Sequence, residues 1–236
     1  MSMFNLNPVR PMSRSLRVLA ALLGYPGPEL RSHLLEMSRL LQEERALSFS
    51  RRQELDGLMS RLGQGDLLQV EADYVELFDR GRSTSLHLFE HVHGDSRDRG
   101  PAMIDLGQTY ETAGLVLAEG ELPDYLPAVL EFVSTQPPAQ ARAFLGEMSH
   151  IFNAIFGALQ HQQSAYASVL GALIELSGEK AEPVAPAAEA PIDETWAEPV
   201  VFDGCLSKGQ ARPGQPQPIH ITRRSASDLP SPGASA

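Results

Sequence analysis

The residues best equipped for chemistry lie close together, between Tyr74 and Gly107. Three of the seven histidines, His87, His91 and His93, fall there, with six carboxylates and several arginines. His87-Leu88-Phe89-Glu90-His91 matches H-x-x-E-H, the inverted zinc-protease motif. Two histidines four apart on a helix can share a metal ion while the glutamate acts as base. His93 offers a third nitrogen. A metal-dependent hydrolase would also need a downstream helix of ligands, and no His or Glu pair presents one. The alternative reading is structural: the histidines orient loop backbone and arginines through hydrogen bonds. Asp95, Arg97, Asp98 and Arg99 pose the same choice between a reactive cluster and a salt-bridged loop. We favour internal pairing, with the outward carboxylates left for a partner. The chain has no phosphate-binding glycine loop, no CxxC and no Ser–His–Asp spacing, which leaves a metal-dependent hydrolase on His87, Glu90 and His91 as the alternative to the favoured expectation of no catalytic residue, metal or cofactor.

A second chemistry is recognition. Tyr74, Leu77 and Phe78 close an apolar stretch directly before this charged loop. Aromatic residues at helical spacing usually build a core. Beside carboxylates they also suit a basic amphipathic peptide, giving its apolar face a groove and its arginines a counter-charge.

The elements that would position these residues read as helices throughout. Ser13 to Leu23 places Leu16, Leu19, Ala20 and Leu23 on one face, with Ser13 as N-cap. A second helix runs to about Arg45, a third from Ser50 to Leu62 and a fourth from Asp66 to Phe78. Leu86, Phe89 and Val92 recur at helical spacing, so a short helix follows. Pro101 suits the start of the next helix, which runs to Glu119. Tyr125 to Ser134, Ala139 to His161 and Gln163 to Ser177 complete the set. No alternating strand pattern competes before residue 180. The expected class is all-α: one domain, residues 1–178, of helices packed as antiparallel neighbours through short loops.

From Glu179 onward the composition changes. Nine of the 18 prolines fall in the last 58 residues, amid alanine, glutamine and serine. Such a stretch is expected to be a largely irregular tail, 179–236, because it cannot bury enough apolar surface to offset chain entropy. Residues 192–202, with Trp196, Val201 and Phe202, form an apolar island and a candidate docking segment.

The totals bound the rest. Net charge is −11 and hydrophobic content 42%. No basic face suggests nucleic acid, and no apolar run approaches the roughly 20 residues of a membrane span. One cysteine, Cys205, rules out an internal disulfide, in keeping with the cytoplasm.

The run SLHLFEHVHGDSRDRGPAMIDLGQTYETAGL, preceded by YVELFDRGRSTS and followed by ELPDYLP, resembles the NarJ-type assembly chaperones of respiratory nitrate reductase. These belong to the wider TorD/DmsD group of redox-enzyme maturation proteins. LLGYPGPEL near the start and WAEPVVF in the tail are similar to the same subfamily. The resemblance implies an all-helical cytoplasmic protein without catalytic activity. It implies a partner too: the N-terminal peptide of the nitrate reductase catalytic alpha subunit, held competent for molybdenum cofactor insertion. Transient contact with the apo-alpha-beta complex and the cofactor-insertion machinery follows from the same resemblance. The group's E-P-x-D-H motif has its counterpart at Glu121-Leu122-Pro123-Asp124-Tyr125, where Tyr125 replaces the histidine. The residues expected to meet the client are therefore Tyr74, Leu77, Phe78, Glu90, His91, His93, Asp95, Arg97, Glu121, Asp124 and Tyr125.

Overall fold

The computed structural model describes residues 9–181 apart from Asp95 and Glu119. These residues all belong to one unit, residues 1–189. The tail beyond residue 181, with its docking segment 192–202, lies outside the described residues.

Leucines at helical spacing create the centre of the fold. In α1 (Ser13–Leu23), Leu16, Leu19, Leu22 and Leu23 are wholly buried. They pack on α2 (Pro28–Glu44), α7 (Leu126–Ser134) and α10 (Ala167–Ser177). Helices α7 and α10 are apolar around most of their circumference, which is why they occupy the interior. Around them stand α3 (Phe49–Gln64), α8 (Pro138–Glu147) and α9 (Ser149–His161). The segment between α3 and α7 holds α4 (Leu67–Tyr74), a π-helical turn (Val75–Asp79), a 3-10 turn (Arg82–Thr84), α5 (Leu88–Val92) and α6 (Arg99–Thr112). Among the described residues no strand forms, only a single antiparallel bridge between His87 and Tyr125. No helix among them is long and apolar enough to cross a membrane.

Several expected boundaries move, each for a physical reason. Ser13 does not cap α1. Its hydroxyl donates instead to the Ser134 carbonyl at 2.6 Å, tying α1 to the end of α7. The cap comes from the end of α2, where the Glu44 carboxylate accepts the N–H groups of Arg14 (3.1 Å) and Ser15 (2.7 Å). A carboxylate there satisfies orphan donors and complements the helix dipole.

The expected helix 139–161 is two helices that break at Met148. Ala141, Leu145, Phe152, Ile155 and Leu159 keep helical spacing across the break, so periodicity does not reveal it. The helix after Pro101 stops at Thr112, not Glu119. Gly114, at φ +78°, donates to the Glu111 carbonyl, and Leu115 to that of Tyr110. This is a Schellman closure, in which a glycine adopts the left-handed conformation at no steric cost. The fourth helix gives way to the π turn at Val75, where the Arg80 N–H reaches back five residues to the Val75 carbonyl. In α5 the inward residue is Leu88, with Leu86 buried ahead of the helix and Val92 exposed, so the Leu86–Phe89–Val92 stripe is not its packing face.

Candidate functional site

The Asp124 carboxylate, wholly buried, ties three stretches of chain together. Its Oδ2 accepts the Phe89 N–H at 3.1 Å, and its Oδ1 lies 3.3 Å from His87 Nδ1. Arg99 Nη2, at the start of α6, stands 3.7 Å from Oδ2. Backbone bonds complete the join: Leu88 N–H to the Asp124 carbonyl (3.0 Å) and Leu126 N–H to the Leu86 carbonyl (2.8 Å). His87, in the N-cap position of α5, offers no side-chain cap, so Asp124 caps the helix from across the chain. A buried carboxylate is tolerated only when paired and hydrogen-bonded, and these partners meet that condition. The hydrogen bond to Asp124 raises the His87 pKa above its ordinary value, against the opposing effect of burial.

The same turn is anchored on its other side. The Tyr110 hydroxyl donates to the Pro123 carbonyl at 2.8 Å, and burial raises its pKa, so it stays a donor. Tyr125 lies half-buried, its ring 5.5 Å from that of His87 and its hydroxyl 3.4 Å from the Tyr74 hydroxyl. Tyr74 itself donates to the Leu23 carbonyl at 2.7 Å, near the end of α1. Its ring meets Phe78 at 4.9 Å and Tyr25 at 5.7 Å, edge to face in the second case.

Two depressions flank the π turn. One is a polar cleft of about 690 Å³ between the π turn and α5, α6. The other is a chain of shallower hollows along α1, α2 and α4, of about 340, 540 and 390 Å³. Ala21 and Met37 are shared by the first two hollows, Tyr25 and Glu71 by the last two. Val18, Met37, Tyr25 and Leu68 give this groove an apolar lining, and its charged edge is mixed, with Glu29, Glu36, Glu71 and Glu76 beside Arg14, Arg17 and Arg80. Tyr25 is 54% and Leu68 75% exposed, high values for large apolar side chains standing side by side.

The sequence-expected site residues divide between these features. Tyr74, Phe78 and Asp124 are buried, so they support a surface and do not present one. Leu77 is partly buried against the core. Glu90 faces the cleft and pairs with Arg99 at 3.4 Å. His91 Nε2 donates to the Ser85 carbonyl at 2.9 Å, and His93 packs its ring against Phe89. Arg97 and Glu121 are exposed, Glu121 accepting the Ala118 N–H at 3.4 Å. Asp95 lies outside the described residues. The structure thus joins His87, Glu90, Arg99 and Asp124, and leaves Arg97 and Glu121 apart from them.

The H-x-x-E-H reading meets a geometric obstacle. His87 is extended and precedes the helix, so the two histidines do not share a helical face. Their nitrogens turn to different partners, Asp124 and the Ser85 carbonyl. Among the described residues no three His, Cys, Asp or Glu side chains converge as metal ligands.

Sequence reasoning missed Tyr25 and Leu68. The available signal was a tyrosine inside Gly24-Tyr25-Pro26-Gly27-Pro28, which reads as a turn but places an aromatic ring where a turn needs none.

Comparison with known proteins bears on this arrangement. The family model described as nitrate reductase delta subunit matches residues 42–171. The chain is 41% identical over 162 residues to the nitrate reductase molybdenum cofactor assembly chaperone NarJ of Escherichia coli K12, covering 69% of each. It is 31% identical over 159 residues to the probable chaperone of the same name from Bacillus subtilis, covering 66% of this chain and 84% of that one. A crystal structure described as a redox enzyme maturation protein from Archaeoglobus fulgidus superposes with a TM-score of 0.51 at 19% identity. It covers 75% of this chain and 99% of that one, a likeness that speaks for the fold alone.

Proposed function

The chain belongs to the nitrate reductase delta subunit family, and from that membership we propose that it is the assembly chaperone of a respiratory nitrate reductase. In this reading it works in the cytoplasm. Residues 1–178 bind the N-terminal segment of the catalytic alpha subunit and keep it competent for molybdenum cofactor insertion. The same body then meets the apo-alpha-beta complex and the insertion machinery transiently.

One observation supports a peptide-binding role most directly: the open groove at Tyr25 and Leu68, with Glu71 beside them. A segment folding into an amphipathic helix would lay its apolar face there and turn its basic residues toward Glu29, Glu36 and Glu71. The net charge of −11 favours the encounter. Apolar burial should supply most of the affinity, about 1.5–3 kcal/mol for one large side chain, against about 0.2–1 kcal/mol for an exposed ion pair.

Calorimetry with a synthetic N-terminal peptide of the catalytic subunit tests this. We expect Tyr25→Ser to weaken binding roughly ten- to hundredfold at any salt concentration. We expect Glu71→Gln to slow association at low salt and to matter little at high salt. Full-strength binding by the double variant Tyr25→Ser, Leu68→Ser would move the site elsewhere. Failure of the wild-type chain to bind the peptide would remove the client assignment itself.

A further inference from the structure

The groove beside α1 is not electrically uniform along its length. Shared residues give its order. The hollow at Val18 and Met37 adjoins the one at Tyr25 through Ala21, and Tyr25 with Glu71 carries the groove on to Leu68. Arg14 and Leu23 stand about 14 Å apart along α1 at 1.5 Å per residue. Helix α4 extends the groove past the end of α1, where the Tyr74 hydroxyl meets the Leu23 carbonyl. The whole run therefore takes a helix of about three turns, about 16 Å long.

At the Arg14 end the charges balance. Arg14 pairs with Glu43 at 3.4 Å, and Arg17, whose Nε donates to the Ser134 hydroxyl at 3.2 Å, shares its hollow with Glu36. His33, between the two ends, turns to Glu36 at 3.7 Å. At the Tyr25 end the charges do not balance. Arg80 matches Glu76 at 2.8 Å, but among the described residues Glu29 and Glu71 have no basic side chain within ion-pair distance. The chain from Asp66 to Asp79 carries five carboxylates and no basic residue. Helices α1 and α2 run antiparallel on either side of the turn Gly24–Gly27, so their dipoles largely offset one another and the side chains set the gradient.

We propose that the groove fixes the direction of the client helix, which lies antiparallel to α1. Its first turn rests by Tyr25, Leu68 and Glu71, and its later turns pass over Met37 toward Arg17. The N-terminus of a helix carries about half a positive charge, and a segment at the start of a chain adds its α-amino group. Both are favoured beside carboxylates that no basic residue offsets. The C-terminus carries about half a negative charge. It is repelled by the same carboxylates and meets no such repulsion at the balanced end. The partner this describes has its basic residues in the first turn, followed by an apolar face. The direction rests on the peptide-binding reading above and narrows its charge contact to Glu29 and Glu71.

The experiment uses the full chain, isotopically labelled, and the synthetic N-terminal peptide of the catalytic alpha subunit with a nitroxide at its first or its last residue. Paramagnetic broadening of amide resonances reads the direction. We expect the first label to broaden Gly27 and Ala72, and the last label to broaden Arg17 and Val18. The reverse pattern, or equal broadening of both ends by each label, overturns the direction and leaves the groove as the site. Broadening at neither end removes the peptide-binding reading and the direction with it. A second arm compares two peptides of one composition, with the basic residues gathered in the first turn or in the last. We expect Glu29→Gln, Glu71→Gln to weaken the first peptide about threefold or more at low salt and the second by less than about twofold, the gap closing at high salt. Equal losses for the two peptides overturn the proposal. Circular dichroism checks that the double variant remains helical; the nitroxide arm needs no substitution and decides the direction if it does not.

Discussion

Leu16, Leu19 and Leu23 of α1 and Leu126, Val129 and Leu130 of α7 are shut from solvent entirely, while in the fourteen residues of α6 only Tyr110 is buried. The two regions are held by different forces. The helices around α1, α7 and α10 cohere through apolar burial, which is non-directional and tolerant of small changes in register. The segment from the π turn to Tyr125 adds four buried side chains to the core, Phe78, Leu86, Leu88 and Tyr110. It is tied by directed bonds: Thr84 to the Leu77 carbonyl, His91 to Ser85, Tyr110 to Pro123, and Asp124 to Phe89 and His87. Directed bonds define one geometry and leave the surface open, as suits a region that borders both depressions. They also make stability local, because each tie can fail without dissolving the core.

The largest expected effect belongs to the core. Phe152, wholly buried in α9, should cost about 3–5 kcal/mol when replaced by alanine, through lost burial and a cavity. Urea unfolding followed by circular dichroism measures it. A loss below about 1 kcal/mol would show that the core is not what holds α9.

The next effect sharpens the contrast. Asp124→Ala removes the acceptor for the Phe89 N–H and the partner of His87 and Arg99, an expected cost of about 1–3 kcal/mol. The loss should be regional. Amide hydrogen exchange should accelerate across 86–93 and 121–126 while the amides of α1 and α10 keep their protection. If α1 and α10 accelerate in step with 86–93, the segment is not separable from the core and the contrast fails.

The same difference explains what was legible in the sequence. The all-α class, most helix centres and most core leucines follow from spacing, because burial selects residues by periodicity. What spacing does not carry is a long-range polar tie. Glu44 capping α1 and Asp124 capping α5 join residues 29 and 35 positions apart. Nothing in the local pattern around Ser13 or His87 announces them. Tyr74 and Phe78 were legible as aromatics at the spacing that usually builds a core, and they are buried, but the rings they meet were not legible. Their ring contacts with Tyr25 and Tyr166 come from three distant parts of the chain. The family motif at Glu121–Tyr125 drew attention to Asp124 as a residue for the client. Its burial gives it a different task, that of building the turn.

The smallest effect tests how the tie itself works. His87 shares Asp124 with Arg99, and the charged groups nearest its ring are Asp124, Glu90 and Arg99. Asp124 and Glu90 favour the imidazolium, while Arg99 and burial oppose it, and the balance lies above the ordinary histidine value of about 6.5. A folded-state pKa above the unfolded one means that the native chain holds the proton more tightly. The resulting stabilisation is complete below about pH 6.5 and is lost as pH rises through the folded-state value. Because the side chain is 33% exposed, solvent screening should keep the effect below about 1 kcal/mol. Stability of wild type and His87→Asn, measured by urea unfolding across the neutral range, isolates it. The wild-type chain should lose stability relative to the variant as pH rises, and the difference should level off once the imidazole is neutral in both states. A difference that grows with rising pH, or none at all, would mean that Asp124 is held by Phe89 and Arg99 alone. His87 would then be a bystander of the staple that separates this segment from the core.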